Sequence, residues 1–327
     1  MRSKALPNDW AIGASHHMRR VLVAGGTGLV GGSLVSSLRA RGDDVAVLTR
    51  ARARVPSFAS AIEIEQWHGD EVERALAGRC FDLVFNLAAY GVDPADKDPA
   101  AAETVNCALP RRLVGIARAV GARALVHVGS VFEYAPWTQR RPIPEDAPLE
   151  CDLVYGASKA RGTQAVLGAA EDGGLPTVAI RLFGVFGARE RPHRLLPSLV
   201  SALSAGRRVS LGTGGQIRDI LHVADAAEGL IALSEVAVAG RPCLVNLCNG
   251  AGISVAEFAK TTAQIMGAPD DLLGFGELPD RPQDASYLVG DTARLHGLTR
   301  WRPRVTLRAG LEEAITAWRE KHVNRQR

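Results

Sequence analysis

The stretch RRVLVAGGTGLVGGSLVSSLRARG (residues 19–42) decides the fold of this chain. A short apolar run is followed by a glycine turn and then by an amphipathic pattern that is typical of a helix. Gly25, Gly28 and Gly31 give the spacing G-x-x-G-x-x-G, a variant of the glycine fingerprint of dinucleotide-binding βαβ units. In that fingerprint the glycines permit the tight turn, the approach of backbone to a diphosphate, and close packing of helix on strand. The residues predicted to contact the dinucleotide here are Gly25, Thr27, Gly28, Leu29, Val30 and Gly31.

Strand-like runs alternate with helical patterns through the first two thirds of the chain. These runs are VLVAG, VAVLT, IEIEQW, DLVFNLA, ALVHVGS and TVAIRLF. Such alternation predicts an α/β fold with a Rossmann-like, doubly wound parallel sheet that binds ligands at the carboxyl ends of its strands. After Arg181 the pattern loosens. We therefore predict a NAD(P)-binding domain over 18–182 and 216–248, and a smaller substrate-binding lobe over 183–215 and 249–327.

Composition excludes several classes of function. The chain has 327 residues, of which 46% are hydrophobic and 23% charged, and its net charge is +4. There is no dense basic run with interleaved aromatic residues, so nucleic-acid binding has no support. No apolar run is long enough to span a membrane, and residues 1–17 lack the apolar segment of a secretory signal. We regard that stretch as a disordered extension.

The cysteines indicate neither a metal site nor a disulfide framework. The five cysteines form no C-x-x-C pair and do not cluster with histidines at metal-ligand spacing. We expect free, mostly buried thiols in a cytoplasmic protein, and no bound metal.

The run VYGASKA places Lys159 four positions after Tyr155, and HVGS places Ser130 after an apolar strand. Residues four apart lie on one face of a helix, so the phenol and the ammonium are predicted to enter one cleft. A nearby cation favours the phenolate, so Lys159 is expected to lower the pKa of Tyr155. Three such groups around one oxygen suit proton transfer at a carbonyl or carbinol while a nicotinamide takes or gives hydride.

The order and spacing of the motifs resemble the extended short-chain dehydrogenase/reductase family, in its nucleotide-sugar epimerase, dehydratase and reductase group. The resemblance runs from about residue 18 to about residue 318. The motifs that carry it are GGTGLVG, WHGD, NLAA, ETVN, the Ser130, Tyr155 and Lys159 set, RLFGVFG, GGQIRDILHVAD and TRWRP. It implies a nucleotide-diphosphate sugar as substrate and a homodimer that packs helices from about 99–119 and 153–170.

The resemblance also assigns cofactor contacts. Asp70 is expected to hydrogen-bond the adenine amino group, and Asn106 to organise the active site. The small residues of NLAA are expected beside the cofactor, and Lys159 at the ribose. The remaining cofactor residues are Leu87, Ala88, Ala89 and Tyr155.

The end of the second predicted strand bears on the choice of cofactor. NAD sites usually carry an acidic residue there for the ribose 2′-hydroxyl, whereas this strand ends in Thr49 and Arg50. An arginine binds a 2′-phosphate that a carboxylate would repel. We therefore predict NADP(H) as the preferred cofactor, with Arg50 binding its 2′-phosphate, and NAD(H) remains possible.

For the substrate, the resemblance maps two diphosphate-binding arginines onto Arg218 and Arg281. Gly184 stands where many relatives have a substrate-binding asparagine, so Arg194 is a candidate to compensate. The expected substrate contacts are Tyr90, Ser130, Phe132, Arg194, Arg218 and Arg281.

Two reactions and one non-catalytic role remain after the residues behind Ser130 are considered. The dehydratases of this group carry acids directly behind the catalytic hydroxyl, but Val131 and Phe132 stand here, and alternation along a strand end turns Glu133 away. Phe132 also replaces the cysteine of the GDP-fucose synthases. A 4-ketoreductase of nucleotide 4-keto-6-deoxyhexoses fits Arg50 and the AAYGVDPADKDP segment. A NAD-dependent 4-epimerase and a non-catalytic dinucleotide-binding protein are the alternatives.

Overall fold

The computed structural model describes residues 18–240, 243–279 and 285–323. The strands are β1 (Arg20–Ala24), β2 (Asp44–Thr49), β3 (Ser60–Glu63), β4 (Leu83–Asn86), β5 (Ala124–Val128), β6 (Thr177–Leu182), β7 (Gly184–Phe186), β8 (Val209–Ser210), β9 (Ile217–His222), β10 (Cys243–Leu247), β11 (Gly252–Ser254), β12 (Leu273–Gly274) and β13 (Tyr287–Leu288). The α-helices are α1 (Leu29–Ala40), α2 (Gly69–Leu76), α3 (Pro99–Glu103), α4 (Leu109–Ala119), α5 (Val154–Gly173), α6 (Leu195–Ser204), α7 (Val223–Ala239), α8 (Val255–Met266), α9 (Ala293–Leu298) and α10 (Leu307–Val323). Short 3-10 helices cover Arg52–Arg54, Val131–Glu133 and Asp270–Leu272, and a π-helical turn covers Thr104–Ala108.

A seven-stranded parallel sheet forms the centre of the molecule, with strand order β10-β6-β5-β4-β1-β2-β3. The order reverses direction between β1 and β4, which is the switch point where ligands bind in folds of this kind. The predicted Rossmann-like α/β fold is thereby confirmed.

Apolar layers cover both faces of the sheet, as parallel sheets require. On one face, Leu34 and Val35 of α1 and Leu230 of α7 pack against the strands. On the other face the layer includes Leu113 of α4 and Val166 of α5. These residues are almost completely buried, so the sheet edge above them is a rigid platform for side chains at the strand ends.

The smaller lobe has its own core and its own sheet. In that sheet β9 pairs with β7, β11 and β13, and α6, α8 and α10 pack together beneath it. We predicted that the chain returns to the large domain at residue 216. Strand pairing puts β9 in the small sheet, and the return begins with α7, which packs on α1. Leu295 of α9 then joins the core of the large sheet.

The described helices include none that is both long and apolar enough to cross a membrane. The five cysteines are free, as expected. The expectation that they are mostly buried is wrong, because Cys80 and Cys151 lie on exposed loops and only Cys248 is buried.

Candidate active site

The glycine turn between β1 and α1 has the shape that a diphosphate needs. Gly25 adopts φ +80°, and a Cβ there would lie 2.7 Å from main-chain atoms of Leu87 and Ala88. A Cβ on Gly31 would lie 2.3 Å from the carbonyl oxygen of Gly25, so only glycine lets α1 start this close to the turn. Gly28 is the exposed N-cap of α1, and a Cβ there would make only an ordinary contact, 3.5 Å from the carbonyl oxygen of Gly25. The turn, with Thr27, Leu29 and Val30 around the helix start, fits a dinucleotide diphosphate.

Ser130, Tyr155 and Lys159 are brought together at the carboxyl end of β5. Ser130 follows the strand, and its hydroxyl is close enough to Tyr155, on the first turn of α5, to lower the pKa of the phenol. Lys159 is 1% exposed, and its Nζ donates to the carbonyl oxygen of Val128 at 2.7 Å. The arrangement therefore positions a proton donor, a second hydroxyl and a buried cation at one edge of the sheet.

The pKa values differ from the expectation that Lys159 activates Tyr155. Burial raises the pKa of Tyr155, while its contact with Ser130 and the charge of Arg194 lower it. Burial also lowers the pKa of Lys159 to about 8, against the nearby Glu133 carboxylate, which raises it. Lys159 is not among the groups that lower the pKa of Tyr155, and its ammonium donates to the carbonyl oxygen of Val128. A neutral phenol is well suited to donate a proton.

Asn106 lies in the π-helical turn and ties three segments together. Its side chain accepts from the N–H of Tyr90 and donates to the carbonyl oxygen of Tyr90, both at 2.9 Å. It also donates to the hydroxyl of Ser158 on α5 at 3.0 Å. The loop after β4, which carries Leu87, Ala88 and Ala89, is thereby held at the sheet edge. The hydroxyl of Tyr90 accepts from the N–H of Asp98, so this side chain also anchors the loop.

The end of β2 carries positive charge and no carboxylate. The side chain of Thr49 accepts from the N–H of Ala51, and Arg50 is exposed directly after it. The side chains of Arg50, Arg52 and Arg54 form no hydrogen bond or ion pair with the described residues. The acidic Asp43 lies at the other end of the strand, paired with Arg19.

Asp70, the residue expected to hydrogen-bond the adenine, lies at the end of the WHGD motif. Asp70 is in the first turn of α2, its side chain is 70% exposed, and it pairs with Arg112 of α4. The carboxylate is therefore open to solvent at the start of α2.

Phe132 and Arg194, two of the residues expected to contact the substrate, lie near Tyr155. The ring of Phe132 is 55% exposed and meets the ring of Tyr155 edge-on, with centroids 6.2 Å apart. Arg194, the N-cap of α6, is close enough for its charge to lower the pKa of Tyr155. Arg218 donates to the carbonyl oxygens of Ile217 and Ala285, while Asp219 accepts from backbone N–H groups instead of pairing with it. Arg281 lies outside the described residues.

The loop after β7 contributes two arginines that the sequence did not point to. The guanidinium of Arg189 packs on the start of α1, 3.0 Å from where a Cβ of Gly32 would lie. Arg189 has no hydrogen bond or ion pair with any described residue, although it stands at the positive end of a helix. Arg191 pairs with Asp93 at 2.6 Å, so this loop spans from the small lobe to the loop after β4. Two positive features without a counter-charge favour an anion, which fits the phosphates of a dinucleotide.

Glu133 is turned inward for a different structural reason from the one predicted. Residues 131–133 form a 3-10 helix, so the alternation of a strand end does not apply. The turn directs the carboxylate inward, where it is fully buried and pairs with Arg181 of β6 at 2.8 Å. Glu133 is thus removed from the substrate side, which agrees with the absence of a dehydratase-type acid there.

Comparison with known proteins supports this description. The chain is 31% identical to a UDP-glucose 4-epimerase of Streptomyces lividans, over 91% of this chain and 95% of the relative. It is 29% identical to a dTDP-6-deoxy-L-talose 4-dehydrogenase (NAD(P)(+)) of Kitasatospora kifunensis, again over 91% and 95%. The solved structure of MoeE5 in complex with UDP-glucose and NAD superposes with a TM-score of 0.80 at 27% identity, over 93% of this chain and 99% of MoeE5.

The family model described as "NAD dependent epimerase/dehydratase family" matches residues 21–248. The match covers the glycine turn, the Ser130, Tyr155 and Lys159 set and the strands that carry them. The resemblance to the extended short-chain dehydrogenase/reductases is confirmed, and the chain belongs to the NAD dependent epimerase/dehydratase family.

Proposed function

We propose that this protein reduces the C4 keto group of a nucleotide-linked 4-keto-6-deoxyhexose with NADPH. The observation that carries the proposal is the arginine cluster after β2, where no carboxylate competes with a 2′-phosphate. A reductase consumes a diffusible reduced cofactor, and cells supply reducing power for biosynthesis mainly as NADPH. An epimerase regenerates its own cofactor in every cycle, so a preference for NADPH over NADH gives it no advantage.

Each member of the catalytic set has a defined task in this reaction. NADPH, when bound, supplies the hydride. Tyr155, whose pKa is raised by burial, donates its proton to the C4 oxygen. Ser130 holds the same oxygen. Lys159, with a pKa of about 8, is positively charged at neutral pH and stabilises the negative charge that remains on the phenol oxygen.

The rim of the site suits a sugar that lacks a hydroxyl at C6. Phe132, Leu153, Val154 and Val92 are large apolar residues that remain exposed in the segments around Tyr155. Exposed apolar residues grouped in this way indicate a binding surface. A methyl group at C6 has favourable contacts there, whereas a hydroxymethyl group loses hydrogen bonds to water.

A 4-epimerase is the second candidate, because of the Streptomyces lividans relative and the NAD bound by MoeE5. That reaction uses the same three residues in both directions. It requires NAD that stays bound through oxidation and re-reduction. The reaction therefore causes no net change in the oxidation state of the cofactor.

Absorbance at the reduced-nicotinamide band distinguishes the two functions. The purified chain receives dTDP-4-keto-6-deoxyglucose with NADPH in one run and NADH in another. Stoichiometric loss of NADPH, faster than loss of NADH, is the expected result. No loss with either cofactor, together with NAD released on denaturation and interconversion of UDP-glucose and UDP-galactose, establishes the epimerase instead.

Replacement of Arg50 by aspartate is expected to reverse the cofactor preference. The carboxylate repels a 2′-phosphate and accepts a hydrogen bond from a 2′-hydroxyl, which shifts the ratio of kcat/KM for NADPH over NADH by about 10- to 100-fold. Arg79 is an exposed arginine in the loop before β4, and its Nε donates to the carbonyl oxygen of Ala75; R79D is the control variant. An unchanged ratio in R50D removes Arg50 from the 2′-phosphate site.

We also propose a homodimer that uses the outer face of α4 and α5. A groove of about 560 Å³ runs along this face, between Arg111 and Arg118 of α4 and Asp172 of α5, with Gly115 and Gly168 at its floor. Small residues permit close approach of a second pair of helices, and the arginines can meet the aspartate of the partner. Analytical ultracentrifugation is expected to give twice the chain mass, and a monomer for G168R. A monomeric wild-type chain contradicts this proposal.

A further inference from the structure

Beneath the catalytic set lies a buried carboxylate with no part in substrate binding. One oxygen of Glu133 accepts from the N–H of Ser130 and from the hydroxyl of Thr163, both at 2.9 Å. The other accepts from Nε of Arg181 at 2.8 Å. All three donors belong to different elements, so the carboxylate joins the end of β5 to α5 and to β6.

The space for this carboxylate is provided by a glycine. A Cβ on Gly129 would lie 2.0 Å from the Glu133 oxygen and 3.0 Å from the hydroxyl of Thr163. The hydroxyl of Ser130 in turn caps the 3-10 helix that carries Glu133, by accepting from the N–H of Phe132 at 3.2 Å. Ser130 and Glu133 therefore fix each other in a reciprocal capping box.

We propose that Glu133 is a positioning residue for catalysis. Its carboxylate fixes Ser130 through the main chain and places a buried negative charge beneath Tyr155 and Lys159. It never touches the substrate, and it acts only through these three residues.

The charges around Glu133 come from several elements. Burial raises the pKa of Glu133, whereas the charge and hydrogen bond of Arg181 on β6 lower it and favour the carboxylate. The Arg181 guanidinium also donates to the carbonyl oxygen of Glu145. Lys159 and Tyr155 of α5 both respond to it, because a carboxylate favours the protonated ammonium and the protonated phenol. His127 of β5 adds no charge, since burial and Lys159 hold its pKa well below the ordinary value.

Two further groups complete this electrostatic environment. Tyr134, whose ring lies 4.4 Å beneath the guanidinium of Arg181, has its pKa raised to about 12 by burial and remains neutral. Arg194 approaches Tyr155 from the small lobe and favours the phenolate. Glu133 thus opposes Arg194 at the catalytic phenol and keeps the proton on it.

The test is a titration of Tyr155 in the full chain, without substrate. Tyrosinate ultraviolet absorbance is followed against pH, and the curve of the matching Y155F protein is subtracted, which isolates one of four tyrosines. In E133Q the midpoint of Tyr155 is expected about one pH unit lower. E133Q leaves Arg181 as an unpaired buried cation, so E133Q/R181Q, which removes both charges, is measured beside it. An unchanged midpoint in both variants overturns the proposal.

Glu145 provides the matched control. It is also a buried carboxylate near Arg181, but its oxygens accept from the N–H of Asn246 and approach Arg294, away from the catalytic set. E145Q is expected to lower stability and to leave the Tyr155 midpoint unchanged. A shift in E145Q equal to that in E133Q shows a general structural effect and contradicts the positioning role.

A second measurement rests on the proposed function. Reduction requires the protonated phenol, so the alkaline fall of kcat/KM moves to lower pH in E133Q, whereas a merely structural defect lowers it equally at every pH. If the chain reduces no nucleotide 4-ketosugar, the proposed function fails and the titration still decides the role of Glu133.

Discussion

Replacement of Tyr155 by phenylalanine is expected to lower turnover by about 10²- to 10⁴-fold, the usual contribution of a general acid. Phenylalanine keeps the aromatic contact with Phe132 and the packing of α5 but has no proton to donate. Cofactor affinity is expected to be nearly unchanged, because the glycine turn and Lys159 are intact. Turnover and a fluorescence titration of the dinucleotide measure the two effects separately.

Tyr134 allows the same chemical change away from the reacting oxygen. Its phenol is buried and donates to Oδ1 of Asn246 at 2.6 Å, so Y134F leaves a buried acceptor without its partner. It is expected to cost about 1–3 kcal/mol of stability with turnover nearly unchanged. If Y155F retained turnover, or if Y134F lost as much, Tyr155 would not be the acid.

Replacement of Gly162 by alanine is expected to lower the free energy of unfolding by about 3 kcal/mol, the largest stability loss among the proposed variants. A Cβ at this position would lie 1.8 Å from the carbonyl oxygen of Asn106 and 3.3 Å from the Cα of Cys107. These are backbone atoms, so α5 and the π-helical turn must separate. The bonds of Asn106 to Tyr90 and Ser158 then lengthen, and turnover falls together with stability.

Urea unfolding with parallel assays of turnover measures both losses. Gly297 of α9 gives the control, because a Cβ there meets nothing within 4 Å. G297A is expected to be neutral, or stabilising by up to about 1 kcal/mol, because alanine has the higher helix propensity. Equal stability of G162A and G297A would show that the turn adjusts without cost.

The parts of the structure that the sequence predicted depend on local patterns. The spacing of Gly25, Gly28 and Gly31 specifies a turn between strand and helix, and a buried parallel strand appears as a continuous apolar run. The four-residue spacing of Tyr155 and Lys159 works in the same way, since any helix puts such a pair on one face. These inferences need no knowledge of how distant segments meet.

The features that could not be predicted depend on contacts between segments that are distant in sequence. The inward direction of Glu133 follows from a 3-10 turn, and its buried ion pair requires Arg181, which lies in another strand. The contact of Arg189 with α1 depends on the path of a loop that crosses from the small lobe. The raised pKa of Tyr155 depends on how deeply the phenol is buried, and Lys159, which donates to the carbonyl oxygen of Val128, is not among the groups that lower it.

The position of β10 at the edge of the large sheet also affects how the chain is made. Its neighbour in the sheet, β6, ends at Leu182, whereas β10 itself ends only at Leu247. During synthesis the ribosome adds β7, β8, β9 and the helices between them before that edge is covered. A nascent chain therefore exposes an open strand edge, which is prone to pair with other chains, while the small lobe is still incomplete. Because the two lobes are interleaved along the chain, β10 joins the large sheet only late in translation.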